Sequence, residues 1–409
     1  MSTDSPINMT ISTDNPEAVY QVNEKVTFHI LVERNQQPVS TGEAHWQLKK
    51  DGGITLQQGV SPLEAGRAEV SGSLSEPGFL HLHVTFAAPE GQATAMAGAG
   101  IDPLKISPSL PVPRDFDTFW DRRKAKLAEV PLQMELQPLD CGLEGLYGAD
   151  VRAACVGAPV RGYLARPANA EPGSLPAILT LHGAGVNGAN WPTFWAEQGF
   201  LALDINAHGI PNGQPAEYYN DLAKGELADY RIRGRQSRSE FYFLGMFLRV
   251  IRAIDVLTAQ PEWNGRHLVL YGTSQGAAQS YAGAALDKRV TFFVAGVAAM
   301  ADLTGFVQNR ATGWPGLGLY ANASVQEQQA ITYAVRYFDA VNMATRVQAE
   351  GFFTVGFIDQ TCPPTAVYAA YNNVKSKKAI FNDVKTGHAN SPEAVALMRR
   401  AVLAHVGKA

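Results

Sequence analysis

The stretch HLVLYGTSQGAAQSYAGAALD, residues 267–287, decides the fold class of this chain. It contains Gly272, Ser274 and Gly276, which form the pattern Gly-x-Ser-x-Gly. This pattern predicts a sharp turn that exposes a nucleophilic serine, provided that a strand precedes it and a helix follows it. The largely apolar segment before the pattern fits a buried strand, and the Ala- and Gly-rich segment after it fits a helix packed close to a sheet. We therefore expect a nucleophile turn rather than an ordinary small-residue loop.

Short apolar segments recur on both sides of this motif and are separated by longer stretches with helical periodicity. Segments that are apolar on both faces are typical of strands covered by helices on both sides, as in a parallel sheet. The second block of the chain is therefore predicted to be α/β, with strands at residues 177–182, 200–205, 267–272, 290–299, 352–358 and 378–384.

The first hundred residues follow a different pattern, in which apolar and polar side chains alternate within residues 25–34, 44–48 and 79–86. Alternation with period two predicts antiparallel strands with one face in a core. Several such strands in a short segment predict an additional N-terminal immunoglobulin-like β-sandwich. His81 and His83 fall on the other face of one strand, where we expect them to face water. A metal site there is less favoured because no third ligand is evident.

The two blocks meet at a proline-rich segment, which has four prolines between residues 103 and 113. Proline lacks the backbone N–H that regular helices and central strands require, so this segment is predicted to be a linker. The predicted domains are the sandwich at 1–105, the linker at 106–114 and the α/β catalytic domain at 115–409.

Composition limits the classes of function. The chain of 409 residues is 46% hydrophobic and 18% charged, which is typical of a globular protein. Its net charge of −4 argues against a nucleic-acid partner, and no apolar run reaches the length of a membrane span. The start MSTDSPINMT lacks the pattern of a signal peptide, which predicts a cytoplasmic protein as written, or a periplasmic or secreted one if a leader has been removed. The three cysteines are too few for a disulfide framework and are expected to be free thiols.

A serine nucleophile needs a base within hydrogen-bond reach and an acid that orients the base. In α/β-hydrolases these residues follow in the chain order serine, acid, histidine. Asp359 directly follows one predicted strand, and His388 directly follows the next. The predicted catalytic residues are therefore Ser274, Asp359 and His388. Asp339 is a competing acid, but it lies within a helical pattern before the strand.

The oxyanion of the tetrahedral intermediate needs backbone N–H donors. One should come from the residue after the nucleophile, which is Gln275, and the other from the loop after an earlier strand. The sequence LHGAGVNG, residues 181–188, follows such a strand, and Ala184 is the candidate donor within it. An ordinary glycine-rich turn is the alternative for this loop.

Taken together, the motifs resemble carbohydrate esterase family seven, the acetyl xylan esterases and cephalosporin C deacetylases. The resemblance covers roughly residues 112–408. It rests on DFDTFW (115–120), LTLHGAG (179–185), FLALDINAHG (200–209), VIRAIDVLTAQPEWN (250–264), YGTSQGA (271–277), VRYFDAVNMA (335–344), FIDQTCPPTAVYAAYN (357–372) and KTGH (385–388).

The resemblance implies an α/β-hydrolase fold, the triad Ser274, Asp359 and His388, and hydrolysis of acetyl groups from sugar hydroxyls. It implies no metal or organic cofactor, and it implies a homo-oligomer. The chain departs from the family pattern at Ala184, Ala277, Ala389 and residues 206–209. Within that last segment His208 is a candidate substrate contact, with a structural loop histidine as the alternative.

The sequence thus predicts a serine carboxylesterase that removes acetyl groups from acetylated carbohydrates, xylan or xylo-oligosaccharides, through an acyl-enzyme. The expected partner is a small-molecule or oligosaccharide ester, with neither nucleic acid nor membrane. A lactonase or peptidase of the same fold is one alternative. A glycan-binding protein whose sandwich domain is the functional part is the other.

Overall fold

The computed structural model describes residues 7–88, 91–317 and 323–408. Its N-terminal part consists of two packed, mostly antiparallel β-sheets. One sheet has the order β1-β3-β4 with β7 also paired to β3, and the other has the order β2-β9-β8-β5-β6. The strands are β1 (Ile7–Thr13), β2 (Val19–Tyr20), β3 (Val26–Arg34), β4 (Gln37–Pro38), β5 (Glu43–Lys50), β6 (Ile54–Pro62), β7 (Arg67–Gly72), β8 (Gly78–Ala88) and β9 (Gly91–Ile101).

The alternating pattern of these strands explains their packing. Phe28 and Ile30 of β3 and Leu82 and Val84 of β8 are fully buried, and they belong to one hydrophobic cluster between the two sheets. Because side chains of a strand point alternately to its two faces, the residues between them point away from this core. The predicted strands of the first block are confirmed.

The second part is built on a nine-stranded sheet with the order β10-β11-β12-β14-β13-β15-β16-β17-β18. The six strands β14, β13, β15, β16, β17 and β18 run parallel to one another. The remaining strands, β10, β11 and β12, are antiparallel to their neighbours. The strands are β10 (Glu135–Pro138), β11 (Leu146–Ala153), β12 (Val160–Pro167), β13 (Leu175–Leu181), β14 (Leu201–Ile205), β15 (Trp263–Thr273), β16 (Phe292–Gly296), β17 (Glu350–Gly356) and β18 (Lys378–Asp383). All six strands predicted for this block are present.

Helices cover both faces of this sheet. They are α1 (Phe116–Ala128), α2 (Thr193–Glu197), α3 (Ala216–Lys224), α4 (Phe243–Thr258), α5 (Gln275–Leu286), α6 (Val325–Val335), α7 (Ala340–Ala344), α8 (Pro364–Asn373) and α9 (Pro392–His405). Short 3-10 turns span Pro103–Lys105 and Gly305–Gln308. Leu179 and Leu270 lie in the cluster with α4 and α5, whereas Ile178 and Val269 pack with α2 and α9. Both faces of the central strands are therefore buried, which explains why the sequences of these strands are continuously apolar. Among the described helices, none is long and apolar enough to cross a membrane.

The proline-rich segment between the two parts is fixed to the second part. The Ser109 hydroxyl donates to a carboxylate oxygen of Asp302 at 2.5 Å, and the Arg310 guanidinium donates to the Ser107 carbonyl at 2.6 Å. Ser109 is buried. The segment is therefore held against the α/β part along its length rather than being free to swing.

The outer face of the second N-terminal sheet contacts the loop after β17. His81 Nε2 donates to the Phe357 carbonyl at 2.7 Å. A Cβ added at Gly98 would lie 2.2 Å from the same oxygen, so only glycine permits this approach. The Thr365 hydroxyl donates to the Asp51 carboxylate. The expectation that His81 faces water is wrong: the side chain is 1% exposed because the α/β part covers that face.

Candidate active site

Ser274 lies at a sharp turn between β15 and α5. Its backbone has φ 54° and ψ −120°, a region that residues with a Cβ rarely adopt. The flanking glycines make the turn possible: a Cβ at Gly272 would lie 2.1 Å from the Gly276 carbonyl oxygen, and a Cβ at Gly276 would lie 2.0 Å from the Leu181 carbonyl oxygen. The pattern Gly-x-Ser-x-Gly therefore reflects two close backbone approaches around a strained serine.

The structure brings Ser274, His388 and Asp359 together in one chain of hydrogen bonds. His388 Nε2 is 2.8 Å from Ser274 Oγ, and His388 Nδ1 is 2.8 Å from Asp359 Oδ2. Asp359 is 2% exposed, and its other carboxylate oxygen accepts the N–H groups of Thr361 and Cys362, each at 2.8 Å. The carboxylate is thus held in place from both sides and fixes the orientation of the imidazole.

The loop that carries His388 is fastened to neighbouring strand ends. Gly356 lies so close to it that a Cβ there would lie 2.2 Å from the Gly387 carbonyl oxygen. The Thr354 hydroxyl donates to the side-chain oxygen of Asn390, two residues after the histidine. The sequence analysis missed Asn390, because an asparagine in a loop has no motif of its own.

The backbone beside Ser274 has two candidate N–H donors. Gln275 begins α5, and the first N–H groups of a helix have no carbonyl partner within it. The loop after β13 passes on the other side, where a Cβ added at Gly183 would lie 3.7 Å from the Ser274 Cβ. Ala184 follows Gly183 directly and is exposed. The Gln275 side chain is buried and accepts a hydrogen bond from the Tyr230 hydroxyl at 2.9 Å.

His208 is buried against this loop and is 3% exposed. Its Nε2 donates to the Gly185 carbonyl at 3.0 Å, and its Nδ1 accepts from the Tyr242 hydroxyl at 2.8 Å. Burial lowers the pKa of His208 to about 4, so the ring is neutral at physiological pH. Both ring nitrogens are engaged with protein groups, which is the arrangement of a structural loop histidine.

Asp339, the competing acid, is fully buried at the start of α7. Its carboxylate accepts the N–H groups of Asp302, Leu303 and Val341. It therefore fixes the backbone of residues 302 and 303 to the start of α7.

The side chains near Asp359 and His388 could also be considered as ligands of a metal ion. Ligand atoms of Asp359, Cys362 and His388 lie within 4.8 Å of one another. However, both Asp359 oxygens and both ring nitrogens of His388 already have partners, as described above. Burial raises the pKa of the Cys362 thiol well above its usual value, which disfavours the thiolate that binds metals. All three cysteines of the chain are free. The donor set fits a serine–histidine–aspartate chain better than a metal centre.

The strand–turn–helix at Ser274, in a mostly parallel sheet whose later strand ends carry an aspartate and a histidine, is the layout of an α/β-hydrolase. A model of the acetyl xylan esterase family (AXE1) matches residues 103–398. The chain therefore belongs to the acetyl xylan esterase family, and it is a serine carboxylic ester hydrolase.

Individual relatives agree with this assignment. The chain is 29% identical to the acetyl esterase Axe7A of Xylanibacter ruminicola over 349 residues, which cover 82% of this chain and 76% of the relative. It is similar to the solved acetyl xylan esterase from Paenibacillus sp. R4, with 26% identity and a TM-score of 0.64 over 74% of this chain and 98% of that one. Acetyl xylan esterase 1 from Thermoanaerobacterium sp. JW/SL YS485 shares the fold, with 24% identity and a TM-score of 0.63 over 74% of this chain and 97% of that one.

Proposed function

We propose that this enzyme removes acetyl groups from acetylated xylan or xylo-oligosaccharides through an acyl-enzyme, with Ser274 as nucleophile, His388 as general base and acid, and Asp359 as the orienting acid. The single observation that supports these roles best is the continuous hydrogen-bonded chain from Ser274 Oγ through His388 to Asp359, with both bonds at 2.8 Å.

Acylation begins when His388 Nε2 takes the proton of the Ser274 hydroxyl while the serine oxygen attacks the acetyl carbonyl carbon. The carbonyl oxygen becomes an oxyanion, which we propose is bound by the backbone N–H groups of Gln275 and Ala184. The position of Gln275 at a helix start supports this, because the helix dipole favours negative charge there. The C–O bond to the sugar then breaks, and the sugar oxygen leaves with the proton from His388.

Deacylation repeats these steps with water. His388 Nε2 accepts a proton from a water molecule, the water oxygen attacks the acetyl-serine carbonyl, and acetate leaves as the proton returns to Ser274. Asp359 stabilises the positive charge that His388 carries in both transition states. Activity should therefore fall on acidification, because a protonated His388 cannot accept the serine proton.

The first test is acetate release from p-nitrophenyl acetate and from acetylated xylo-oligosaccharides. We expect wild type to cleave both, and we expect Ser274→Ala to lose about 10⁴-fold or more of kcat on both. The matched control is Ser174→Ala, because Ser174 is exposed and lies just before β13, at the end of the sheet opposite Ser274. Cleavage of the aryl ester alone would contradict the sugar substrate, and an active Ser274→Ala would contradict the nucleophile.

We further propose that the two N-terminal sheets form an immunoglobulin-like sandwich domain at residues 1–105, joined by the linker at 106–114 to a catalytic domain at 115–409. The N-terminal sheets have a hydrophobic cluster of their own, which supports this division, although Ala18 and Phe79 pack into the cluster of the α/β part. A homo-oligomer of the intact enzyme is also proposed, on the resemblance alone, and light scattering coupled to size exclusion would test it.

A further inference from the structure

A groove of about 660 Å³ is lined in part by Gly183 and Ala184, the residues of the loop after β13 that pass beside Ser274. Its lining includes Gly183, Ala184, Asn187 and Trp191 from the loop after β13, and Gln214 and Tyr219 from the segment after β14. A Cβ added at Gly183 would lie 3.7 Å from the Ser274 Cβ, so the groove and the nucleophile are close neighbours across this loop.

The size of the groove identifies which half of the substrate it can hold. Pockets that bind whole small molecules have volumes of roughly 300–1,000 Å³. An acetyl group is only two carbons long and would leave almost all of this groove empty. The alcohol half of the ester, which is the larger half in any acetylated sugar, is the part that matches a space of this volume.

The groove is also electrically neutral. Among the described residues that line it, no side chain carries a carboxylate, an ammonium or a guanidinium group. The one imidazole, that of His182, is engaged within the protein, since Nε2 accepts the Ala207 N–H and Nδ1 donates to the Gly183 carbonyl. A charged ligand would lose hydration in this groove without gaining a counter-charge. The lining therefore favours an uncharged alcohol over a peptide or an organic acid.

The side chains that do line the groove match a sugar. Trp191 lies parallel to Tyr163 with ring centroids 4.2 Å apart, which gives the groove a rigid aromatic wall. Asn187 and Gln214 are exposed, and their amides can donate to and accept from hydroxyl groups. An aromatic wall combined with neutral amides suits a ring that has apolar C–H faces and hydroxyl edges.

The walls are held together before any ligand binds. The Tyr219 hydroxyl donates to the Pro211 carbonyl at 2.9 Å and accepts the Gln214 N–H at 3.2 Å. Across the groove floor, the Asn212 side chain accepts the Ala189 N–H at 2.9 Å. A groove with fixed walls keeps the entropic cost of ordering side chains on binding low.

We propose that this groove is the subsite for the neutral sugar ring that bears the acetyl ester, with Trp191 as its stacking wall and Asn187 and Gln214 as its hydroxyl-binding side chains. This inference rests on the proposed function, because it names the alcohol that the esterase releases.

The test compares two substrates of the same enzyme. Asn187→Ala and Gln214→Ala should each raise KM for acetylated xylo-oligosaccharides about five- to tenfold, the effect of losing one hydrogen bond to substrate. Both variants should change kcat/KM for p-nitrophenyl acetate much less than that for the sugar, because the nitrophenyl group has no hydroxyl groups for the two amides to bind. Trp191→Ala should raise the sugar KM more, and Trp191→Phe should restore part of the loss.

The matched control is Gln58→Ala. Gln58 is an exposed glutamine in a separate groove of about 510 Å³ on the N-terminal sheets, which is also lined by Trp46 and His83. This variant should change neither substrate's kinetics. An unchanged sugar KM in both amide variants would overturn the proposal, as would a loss seen only with Gln58→Ala. If wild type cleaves p-nitrophenyl acetate but releases no acetate from the sugar, the proposed function fails and the subsite fails with it.

Discussion

Ser274 shows how much a short motif can predict about a single residue. The glycines at positions 272 and 276 predicted a turn, and the chain order predicted which aspartate and histidine would meet the serine. The sequence did not predict the conformation of Ser274 itself, with φ 54° and ψ −120°. That conformation follows from neighbouring backbone, since the Ser274 N–H is held by the Gly296 carbonyl at 2.9 Å.

This strain predicts a difference between two inactive variants. Ser274→Gly should be more stable than Ser274→Ala by about 1 kcal/mol, because glycine adopts positive φ without a Cβ clash. Urea unfolding monitored by circular dichroism would measure the difference. Equal stabilities would mean that the backbone relaxes when the hydroxyl is removed.

His208 shows the limit of residue-level prediction. The sequence placed a histidine near the site, but two roles were open, because a loop position does not reveal which way a ring faces. The structure gives its partners, the Gly185 carbonyl and the Tyr242 hydroxyl.

At the scale of elements, the loop after β13 is held both by one of its own residues and by a residue of the loop after β14. His182 Nδ1 donates to the Gly183 carbonyl at 2.7 Å, and His208 holds the next glycine, Gly185, through its carbonyl. These two bonds flank Ala184, the proposed oxyanion donor. His208 belongs to the loop after β14, so its support could not be predicted from the glycine-rich loop itself.

We therefore expect His208→Ala to lower kcat for p-nitrophenyl acetate by about tenfold or more, with little change in KM. The loss should stay below the roughly 10²–10³-fold effect of deleting an oxyanion donor outright, because Ala184 remains present. His208→Gln should recover part of the activity, since its amide can also donate to Gly185. The control is His45→Ala, which changes an exposed histidine on the N-terminal sheets.

A change confined to KM, or full activity in His208→Ala, would show that this histidine does not position the loop. The comparison with His208→Gln separates lost positioning from general destabilisation, provided that both variants unfold at the same urea concentration as the wild type.

The strands themselves were predictable to different degrees. The six parallel strands are apolar on both faces, and the sequence analysis found all of them. It named none of β10, β11 and β12, the antiparallel strands at one edge. β10 is largely exposed, and arginines and a glycine interrupt the apolar residues of β12, VRGYLARP. Such strands lack the continuous apolar run that identifies the parallel strands.

At the scale of the whole molecule, the contact between the N-terminal sheets and the α/β part was the feature that sequence could not predict. His81 was predicted to face solvent because the alternation of apolar and polar residues shows only which face of the strand points away from the sandwich core. It cannot report that another part of the chain covers that face. In the structure His81 donates a hydrogen bond to the carbonyl of Phe357, which lies two residues before Asp359.

Burial lowers the pKa of His81 to about 4, which links overall stability to pH. In the unfolded chain a histidine has a pKa near 6.5. Between these values the unfolded state binds the proton and the folded state does not, so stability falls as pH drops from about 6.5 towards 4. The wild type should therefore lose about 2 kcal/mol more than His81→Gln between pH 7 and pH 5.

Urea unfolding of both proteins at the two pH values would measure this difference. Asp204, whose pKa burial raises to about 6, has the opposite effect below that pH, but it is common to both proteins and cancels in the comparison. Parallel losses in the two proteins would mean that His81 does not carry this pH dependence.

The contact at Phe357 has a practical consequence for anyone who wishes to shorten or transplant this enzyme. The family match begins at residue 103, and a gene trimmed to that point would still encode Ser274, Asp359 and His388. It would also remove the N-terminal strands that cover this surface. The Phe357 carbonyl would lose its hydrogen bond from His81, the Phe357 ring would lose its edge-on contact with Phe79, and the Thr365 hydroxyl would lose its acceptor on Asp51. A minimal version of this enzyme would need polar replacements on that newly bared surface before it could be expected to express as a soluble protein.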